Sequence, residues 1–440
     1  TLCDTLFPYT TLFRSLLITV LLFALSLIGF SQEWHGISSD SPVGMKKTLV
    51  SSTENEIVVD VQIGGFYFNS VETPNGKQLV VSVDKMVSML EAGAPDLPME
   101  AIPAIIGDNA EMTVNVLKSS YVDIENVEIA PSKGNFSRQI NPEDVPYKYG
   151  EMYQKDAFYP ATAAYLEAPY ILRDFRGQNI MVRPFAYNPV TKTLRVYTKM
   201  TIAMTKVSDN GENQKLTRRG SEIRTNSDFM STYERHFINF ADMNAKYDFT
   251  TDKGSMVVIT VDQFADALQP LVDWKNISGR PCTLVTLSEI GGNNETQIKN
   301  YIMDQYTNNN LAFVLLVGDY STLTPHSMNG GRSDNWFAML DGNDYYTEAF
   351  VGRFSCESVA DAENQVAKVL YYERDMEAGL TWVNKGMGIA ANEGAGGGHN
   401  GGEADYVHMN YIRDTLLGYT YEAVSQQYSG VGAGTSAAAI

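Results

Sequence analysis

Hydrophobic and polar residues alternate along the N-terminal half of the chain, between turns rich in Gly, Pro and Asn. The clearest alternating runs are residues 56–63, 78–84, 112–117 and 194–204. Alternation with a period of two places one face of each strand in a core, so residues 32–205 are predicted to form an antiparallel β-sandwich. A hairpin is predicted at 187–197, where Asn188-Pro189 begins the turn.

From Ser255 the pattern changes to continuous apolar runs that alternate with amphipathic stretches. Strands are predicted at 256–261, 283–287, 313–317, 349–354, 386–391 and 421–424, and helices after 264 and at 296–306, 358–374 and 404–417. Ser358 with Asp361 matches a helix N-cap box, and Gly279 is placed for a helix C-terminus. Strands that are apolar throughout are typical of sheets covered on both faces. Residues 254–440 are therefore predicted to form a doubly wound α/β sheet.

Residues 206–253 separate the two patterns and are richer in Ser, Asn, Gly, Lys and Arg. The basic residues there are Arg218, Arg219, Arg224, Arg235, Lys246 and Lys253. Exposed polar segments are where proteases cleave chains. The segment is thus either an ordinary interdomain linker or a site of proteolytic maturation, and its residues favour neither.

Composition narrows the possible partners. The chain has 440 residues, of which 44% are hydrophobic and 19% charged, and it carries a net charge of −19. This charge argues against binding to nucleic acid or to anionic membranes, because both require basic surfaces. The cysteines are Cys3, Cys282 and Cys356, too few for a disulfide framework, so stability must come from large cores.

An apolar run at residues 16–30 follows Arg14 and ends at the small and polar pair Ser31-Gln32. Its length and its exit favour a secretory signal peptide at 16–31 over a membrane-spanning helix. Residues 1–15 lack an initiator Met and do not resemble the start of a signal peptide, so we interpret them as a non-native leader. No other apolar run is long enough to span a bilayer, and the protein is predicted to be exported.

Carboxylates cluster around the third and fourth predicted strands of the α/β region. Asp319, Asp344 and Glu348 supply side-chain oxygens, and the carbonyls near Asp341 and Tyr346 are further candidates. Hard oxygen ligands in a loop suit Ca²⁺ better than a transition metal. Loops are also rich in Asp and Asn because these residues favour turns, so the pattern alone leaves a solvated loop as an alternative.

A Gly-rich stretch at 393–408 follows a predicted strand and precedes a helix. Backbone N–H groups in such a loop can bind an anion. The stretch lacks the Gly-Lys-Ser/Thr of a phosphate-binding loop and does not fit the dinucleotide pattern. A nucleotide site is therefore not expected.

Two cysteines in the α/β region, Cys282 and Cys356, are considered as candidates for a catalytic nucleophile. A search for a Cys–His pair selects Cys356, at a predicted helix N-terminus, with His326, His399 or His408. Cys282 begins a predicted strand and is expected in the core. Because isolated cysteines are more often structural than nucleophilic, we interpret both as structural residues.

Three runs in the α/β region, at 314–319, 341–348 and 351–358, resemble the gingipain family of caspase-like cysteine peptidases. The Gly93–Pro98 segment and the hairpin at 187–197 are similar to the prodomain of that family. The resemblance implies a secreted cysteine endopeptidase precursor, which acts through an acyl-enzyme and is matured within residues 206–253. It also implies protein or peptide substrates and a partner in the type IX secretion machinery.

The resemblance assigns roles to individual residues. Structural Ca²⁺ would be held by Asp319, Asp341, Asp344, Tyr346 and Glu348, with Glu403 and His408 as further ligands. Glu393 would lie beside the catalytic His as an auxiliary group. Asp405 would form the base of the specificity pocket and favour Arg or Lys at P1. The alternative for Asp405 is a solvated carboxylate stabilised by a helix N-terminus.

The catalytic pair of this family, a His in a Gly-His-Gly context and a Cys after the next strand, has no match in the sequence. We therefore expect a fragment that is itself inactive. Two alternatives remain, a type IX secretion sortase of the same family and a non-enzymatic, Ca²⁺-stabilised protein with a degenerate peptidase fold.

Overall fold

A computed structural model describes residues 33–136, 140, 142–216, 224–242, 250–391 and 404–429. The N-terminal part contains β1 (Glu33–Gly36), β2 (Lys46–Ser52), β3 (Glu56–Gln62), β4 (Gly65–Thr73), β5 (Gly76–Ser82), β6 (Val87–Ser88), β7 (Pro98–Ile106), β8 (Glu111–Ile124), β9 (Ala164–Leu166), β10 (Tyr170–Leu172), β11 (Phe175–Val182), β12 (Phe185–Asn188) and β13 (Thr193–Ser208). All strand pairs in this part are antiparallel. This agrees with the pairing expected from the alternating pattern.

Two five-stranded sheets face one another across the N-terminal core. One sheet has the order β10-β11-β7-β6 with β9 beside β11, and the other has the order β12-β13-β3-β2 with β8 beside β13. Val59, Ile102, Ile180 and Ile202 come from both sheets, pack in one cluster and are at most 1% exposed. Burying one face of each sheet in this way is what the period-two alternation requires. A three-stranded sheet, β1-β4-β5, packs beside them.

The C-terminal part alternates strands and helices. Its elements are β16 (Ser255–Thr260), α2 (Ala265–Ile277), β17 (Cys282–Thr286), α3 (Leu287–Ile290), α4 (Glu295–Asn308), β18 (Leu311–Val317), β19 (His326–Met328), β20 (Gly331–Ser333), β21 (Phe350–Phe354), α5 (Val359–Leu370), β22 (Lys385–Ala390), α6 (Asp405–Leu417) and β23 (Ala423–Tyr428). The order β17-β16-β18-β21 forms a four-stranded parallel sheet, and β22 pairs with β23 in a separate parallel pair.

Helices cover both faces of the four-stranded sheet, as the apolar strands predicted. α2 and α5 pack on one face through Leu268, Leu271 and Val366, while α4 packs on the other through Ile298 and Ile302. The predicted helix ends are also confirmed. Ser358 and Asp361 form a reciprocal capping box at the start of α5, and Gly279 has φ +85° just after α2.

The segment predicted as an exposed connector is partly a packed element. It contains β14 (Arg224–Asn226) and α1 (Met230–His236), and β14 pairs in parallel with β15 (Thr250–Asp252). Four aromatic side chains between the two domains are at most 3% exposed: Phe229, Tyr233, Phe237 and Phe240. They pack with Phe175 of the sandwich and Phe313 of the parallel sheet. Residues 224–242 therefore form part of an interdomain core, which a count of polar residues does not reveal.

Candidate functional site

A buried arginine from the N-terminal sandwich lies against the amino end of the parallel sheet. Arg173 occupies the turn between β10 and β11 with φ +49°, and its side chain is 0% exposed. Its guanidinium donates to the carbonyls of Leu311 (2.6 Å) and Glu348 and to Asn310 Oδ1 (3.1 Å). A guanidinium presents several donors in one plane, so a single side chain satisfies acceptors from two neighbouring segments.

Residues 341–348, here called the acidic loop, begin just after a short 3₁₀ turn and lead into β21. Glu348 is fully buried, and its Oε2 accepts hydrogen bonds from the backbone N–H groups of Leu340 (2.6 Å) and Asp341 (3.1 Å). Its Oε1 is buried with no hydrogen-bond partner. The pKa of Glu348 is raised to about 7, chiefly by burial and also by the charges of Asp344 and Asp341, against the lowering effect of its two backbone hydrogen bonds. One carboxylate oxygen of Glu348 is thus buried without a hydrogen-bond donor, while Lys299 interacts with Glu348 electrostatically.

Residues 211–216, which we call the strap, follow β13 and contact the acidic loop. Lys215 Nζ lies 2.8 Å from Asp341 Oδ2, and both side chains are less than a tenth exposed. Asn213 donates to Asp344 Oδ2 (2.8 Å) and accepts from the backbone N–H of Asn343 (2.6 Å). The strap therefore supplies both a cation and hydrogen bonds to the loop.

Two further contacts join the sandwich to the acidic loop. The backbone N–H of Ile171 donates to Asp344 Oδ2 (2.7 Å), and Tyr170 stacks on Tyr346 with ring centroids 4.3 Å apart. Sequence reasoning identified the loop but missed the sandwich and strap residues that contact it. A local pattern does not reveal which distant segment covers a loop.

In this docked arrangement the loop does not fit Ca²⁺. No group of three His, Cys, Asp or Glu side chains able to hold a metal occurs within the described ranges. Asp341 is paired with Lys215, and Asp344 accepts hydrogen bonds from Ile171, Asn213 and Tyr346. The buried, unpartnered Glu348 Oε1 is the remaining feature that suits a cation.

Asp319 does not join this loop, which corrects the prediction of one shared metal set. β18 and β21 are parallel, with Phe313 opposite Phe350 and Val317 opposite Phe354. Asp319 follows the carboxyl end of β18, whereas Glu348 precedes the amino end of β21. Their backbones are eight positions apart along the strand direction, or roughly 26 Å at about 3.3 Å per residue. Asp319 instead accepts hydrogen bonds from Ser321 and Thr322, which lower its pKa.

The predicted residues of the Gly-rich stretch are only partly within the described ranges. Glu393 and Glu403 lie outside them, as does His399. Asp405 is the first residue of α6, and His408 lies in the first turn of the same helix. The neighbouring Tyr406 contacts Tyr428, which pairs with Ala390 at the carboxyl end of β22, so this end of α6 lies near that strand end. This position is compatible with both readings of Asp405, as a pocket base and as a carboxylate at a helix N-terminus. His408 lies far from the acidic loop in sequence. In the described part of the chain, no group of His, Cys, Asp or Glu side chains that could hold a metal ion includes both His408 and residues of the loop.

The two described thiols are buried. Cys356 is 0% and Cys282 8% exposed, and burial raises the pKa of both, that of Cys282 to about 11. A nucleophilic cysteine needs a depressed pKa and access to substrate. The interpretation of these residues as structural agrees with their environments.

Native Cys282 and Cys356 are accordingly expected to resist thiol reagents. In a Cys3→Ser background we expect reaction with a disulfide reagent at pH 8 to be at least about 100-fold slower in buffer than in guanidinium chloride, because the thiolate forms only on unfolding. A Cys introduced at exposed Ser41 provides the reactive control. Rapid stoichiometric labelling of either native cysteine would contradict the structural role.

Among the described residues, no helix has the length and apolar character needed to cross a membrane.

Two family models match the chain in succession. The propeptide model Propeptide_C25 matches residues 40–242, and the model for Peptidase family C25 matches 249–438. Packing of residues 224–242 with the sandwich is consistent with their inclusion in the propeptide match.

Similar proteins include two from Porphyromonas gingivalis. Gingipain R1 is 35% identical over 386 residues, which cover 86% of this chain and 38% of the relative. Gingipain R2 is 32% identical over 410 residues, which cover 92% of this chain and 55% of the relative. A solved complex of the pro- and mature domains of RgpB from the same organism aligns with 34% identity and a TM-score of 0.41, and covers 44% of this chain and 97% of that one.

The chain thus spans between about two fifths and just over half of the length of these curated relatives. The successive family matches and the identity over most of the chain agree with the resemblance found in the three runs of the α/β region. The chain belongs to peptidase family C25, as a gingipain-like member that carries the family's propeptide.

Proposed function

We propose that the chain is part of a secreted cysteine endopeptidase zymogen whose N-terminal sandwich is docked on the peptidase region. The observation that carries the proposal is the succession of a C25 propeptide and a C25 peptidase match in one chain. The interdomain contacts of Arg173, the strap and the aromatic cluster support it, because a propeptide must bind the domain that it precedes.

The reaction implied by the family is acyl transfer. A cysteine thiolate attacks the carbonyl carbon of a peptide bond, the amine leaves with a proton, and water then hydrolyses the thioester. Because Cys282 and Cys356 are buried and have raised pKa values, neither is assigned this role. The described residues contribute the docking surfaces and the candidate specificity residue Asp405.

We further propose cleavage after basic residues. Asp405 supports this specificity, because a carboxylate at the carboxyl end of β22 can pair with a cationic P1 side chain. Arg would bind better than Lys, since the guanidinium can form two parallel hydrogen bonds with one carboxylate.

The test uses the full-length product of the gene and peptides that differ only at P1, with Arg, Lys, citrulline or Ala. We expect cleavage that alkylation of thiols abolishes, with Arg preferred to the neutral citrulline by about 100-fold or more. Asp405→Asn should reduce this preference, whereas Asp414→Asn, on an exposed part of the same helix, should preserve it. Absence of thiol-dependent cleavage would refute the peptidase proposal, and equal rates for Arg and citrulline would refute the basic specificity alone.

Export through a signal peptide at 16–31 and delivery by the type IX machinery are part of the same proposal. Amino-terminal sequencing of the secreted protein tests the first, and secretion from a strain that lacks the machinery tests the second.

The sortase and the non-enzymatic alternatives gain no support from the docked architecture. Selective cleavage of carboxyl-terminal sorting signals would favour the sortase, and the absence of any hydrolysis would favour the non-enzymatic protein.

A further inference from the structure

Two ion pairs of opposite polarity join the propeptide region (residues 40–242) to the peptidase region (residues 249–438). Asp228, which follows β14, pairs with Arg280, which lies between α2 and β17. Lys215 of the strap pairs with Asp341 of the acidic loop. The propeptide side supplies the negative charge in the first pair and the positive charge in the second. Reversal of either charge would therefore place like charges opposite one another.

The pair of Asp228 and Arg280 has the geometry of a specific contact. Two guanidinium nitrogens of Arg280 lie 2.9 and 2.8 Å from the two carboxylate oxygens of Asp228. The backbone N–H of Gly254 also donates to Asp228 Oδ2 (3.2 Å), and Arg280 donates to the Gly254 carbonyl (2.9 Å). The side chains of Asp228 and Arg280 are only 16% and 21% exposed. A bidentate pair with little solvent discriminates by geometry as well as by charge.

The pair of Lys215 and Asp341 is held more deeply. Its two charged atoms are 2.8 Å apart, and the side chains are 9% and 7% exposed. The strap is fixed to the sandwich, because Arg176 donates to the carbonyls of Glu212 (2.6 Å) and Asn213 (2.9 Å). A charge held in place at a buried site is costly when the facing charge is wrong or missing.

Other contacts between the two regions depend less on the side chains of the partner. Two acceptors of Arg173 are the backbone carbonyls of Leu311 and Glu348, which are present whatever side chains occupy those positions. The aromatic residues within 229–240 contribute apolar area, which is not directional. Facing charges, by contrast, favour a matched partner and disfavour a mismatched one. The two ion pairs are thus the contacts best suited to distinguish one peptidase region from another.

We infer that these two ion pairs determine which peptidase region the propeptide accepts. The matching partner has a cation that faces Asp228 and an anion that faces Lys215. The inference rests on the proposed zymogen function only for its consequence, that each propeptide docks on its own enzyme. Docking is measured without proteolysis, so failure of this inference is distinguishable from failure of the proposed function.

The test is a charge-reversal cycle in the full-length product of the gene, with its thiols alkylated. Hydrogen exchange reports docking at the N–H groups of Ile171 and Asn343, which donate across the interface to Asp344 Oδ2 (2.7 Å) and Asn213 Oδ1 (2.6 Å). Asp228→Arg alone and Arg280→Asp alone each oppose like charges and should accelerate both exchange rates about 30-fold or more. The double variant restores opposite charges and should return both rates to within about fivefold of the wild type.

The matched control is the same reversal of Asp123 and Arg195, a bidentate pair within the sandwich. Neither single reversal there, nor both together, should change exchange at the two reporter groups. Unchanged exchange in Asp228→Arg or Arg280→Asp would overturn the inference. A double variant that exchanges as fast as the single variants would overturn it as well, because the two charges would then not act as a pair.

Neutral variants of the second pair decide the question if a reversed variant does not fold. Lys215→Met and Asp341→Asn should each accelerate exchange of the Gly254 N–H, which donates to Asp228 across the interface, about tenfold or more. The double variant should lose little more protection than either single one, since the same pair is broken in all three. Additive losses, or exchange unchanged from the wild type, would refute the inference. Lys192→Met, in the exposed pair with Glu128, is the control and should have no effect.

Discussion

Replacing Arg173 by Met is expected to lower the free energy of unfolding by about 3–5 kcal/mol and to loosen the two domains from one another. The loss is large because three acceptors depend on one guanidinium: the buried carbonyls of Leu311 and Glu348 and the partly buried side chain of Asn310. The stacking of Arg173 over Phe229, at 4.7 Å, is lost as well. Met fills much of the volume but cannot donate a hydrogen bond to any of these acceptors.

Urea unfolding followed by circular dichroism measures the stability, and limited proteolysis of residues 209–242 measures docking. Arg195→Met is the matched control, because Arg195 is paired with Asp123 at a partly exposed site within the sandwich. The control is expected to cost no more than about 1 kcal/mol. A similar small loss for both variants would show that Arg173 does not hold the domains together.

Replacing Glu348 by Gln is expected to stabilise the metal-free protein at pH 8 by about 2 kcal/mol. The pKa of Glu348 is raised from its ordinary value of 4.5 to about 7, chiefly by burial. The folded state therefore binds the proton more tightly than the unfolded state, and stability falls as pH rises from about 4.5 through 7. At about 1.4 kcal/mol per pKa unit the buried charge costs on the order of 3 kcal/mol above this range, part of which Gln loses through its own burial.

The measurement is the free energy of unfolding between pH 5 and 8 in the presence of a chelator. The wild type should lose stability across this range, and Glu348→Gln should remove most of that dependence. Glu128→Gln is the control, since Glu128 is exposed and its pKa is lowered by Lys192 rather than raised. If stability of the wild type and of Glu348→Gln changed in parallel with pH, another group would have to be responsible.

Much of the fold could be predicted from short stretches of sequence. Alternation over 56–63 predicted β3, and the continuous apolar runs predicted β16 and β18 of the parallel sheet. Ser358 with Asp361 predicted the beginning of α5. These predictions succeed because strand periodicity and helix capping are set by residues within a few positions of one another.

The error at Asp319 has a topological cause. In the sequence, Asp319 follows one strand and Glu348 precedes the next. We therefore predicted that both belong to one acidic loop. Parallel strands require the chain to cross back from the carboxyl end of one to the amino end of the next. The pairing of β18 with β21 therefore sends the two carboxylates to opposite ends of the sheet.

The sequence by itself determined the two domain types, the family resemblance and the composition of the acidic loop. Only the tertiary structure decided what the loop contacts. Lys215 and Asp341 are 126 positions apart, and Arg173 and Glu348 are 175 apart. Residues so distant meet because two cores pack against each other, and no local preference of either residue encodes that encounter. The same packing turned residues 224–242 from a polar connector into a buried aromatic contact.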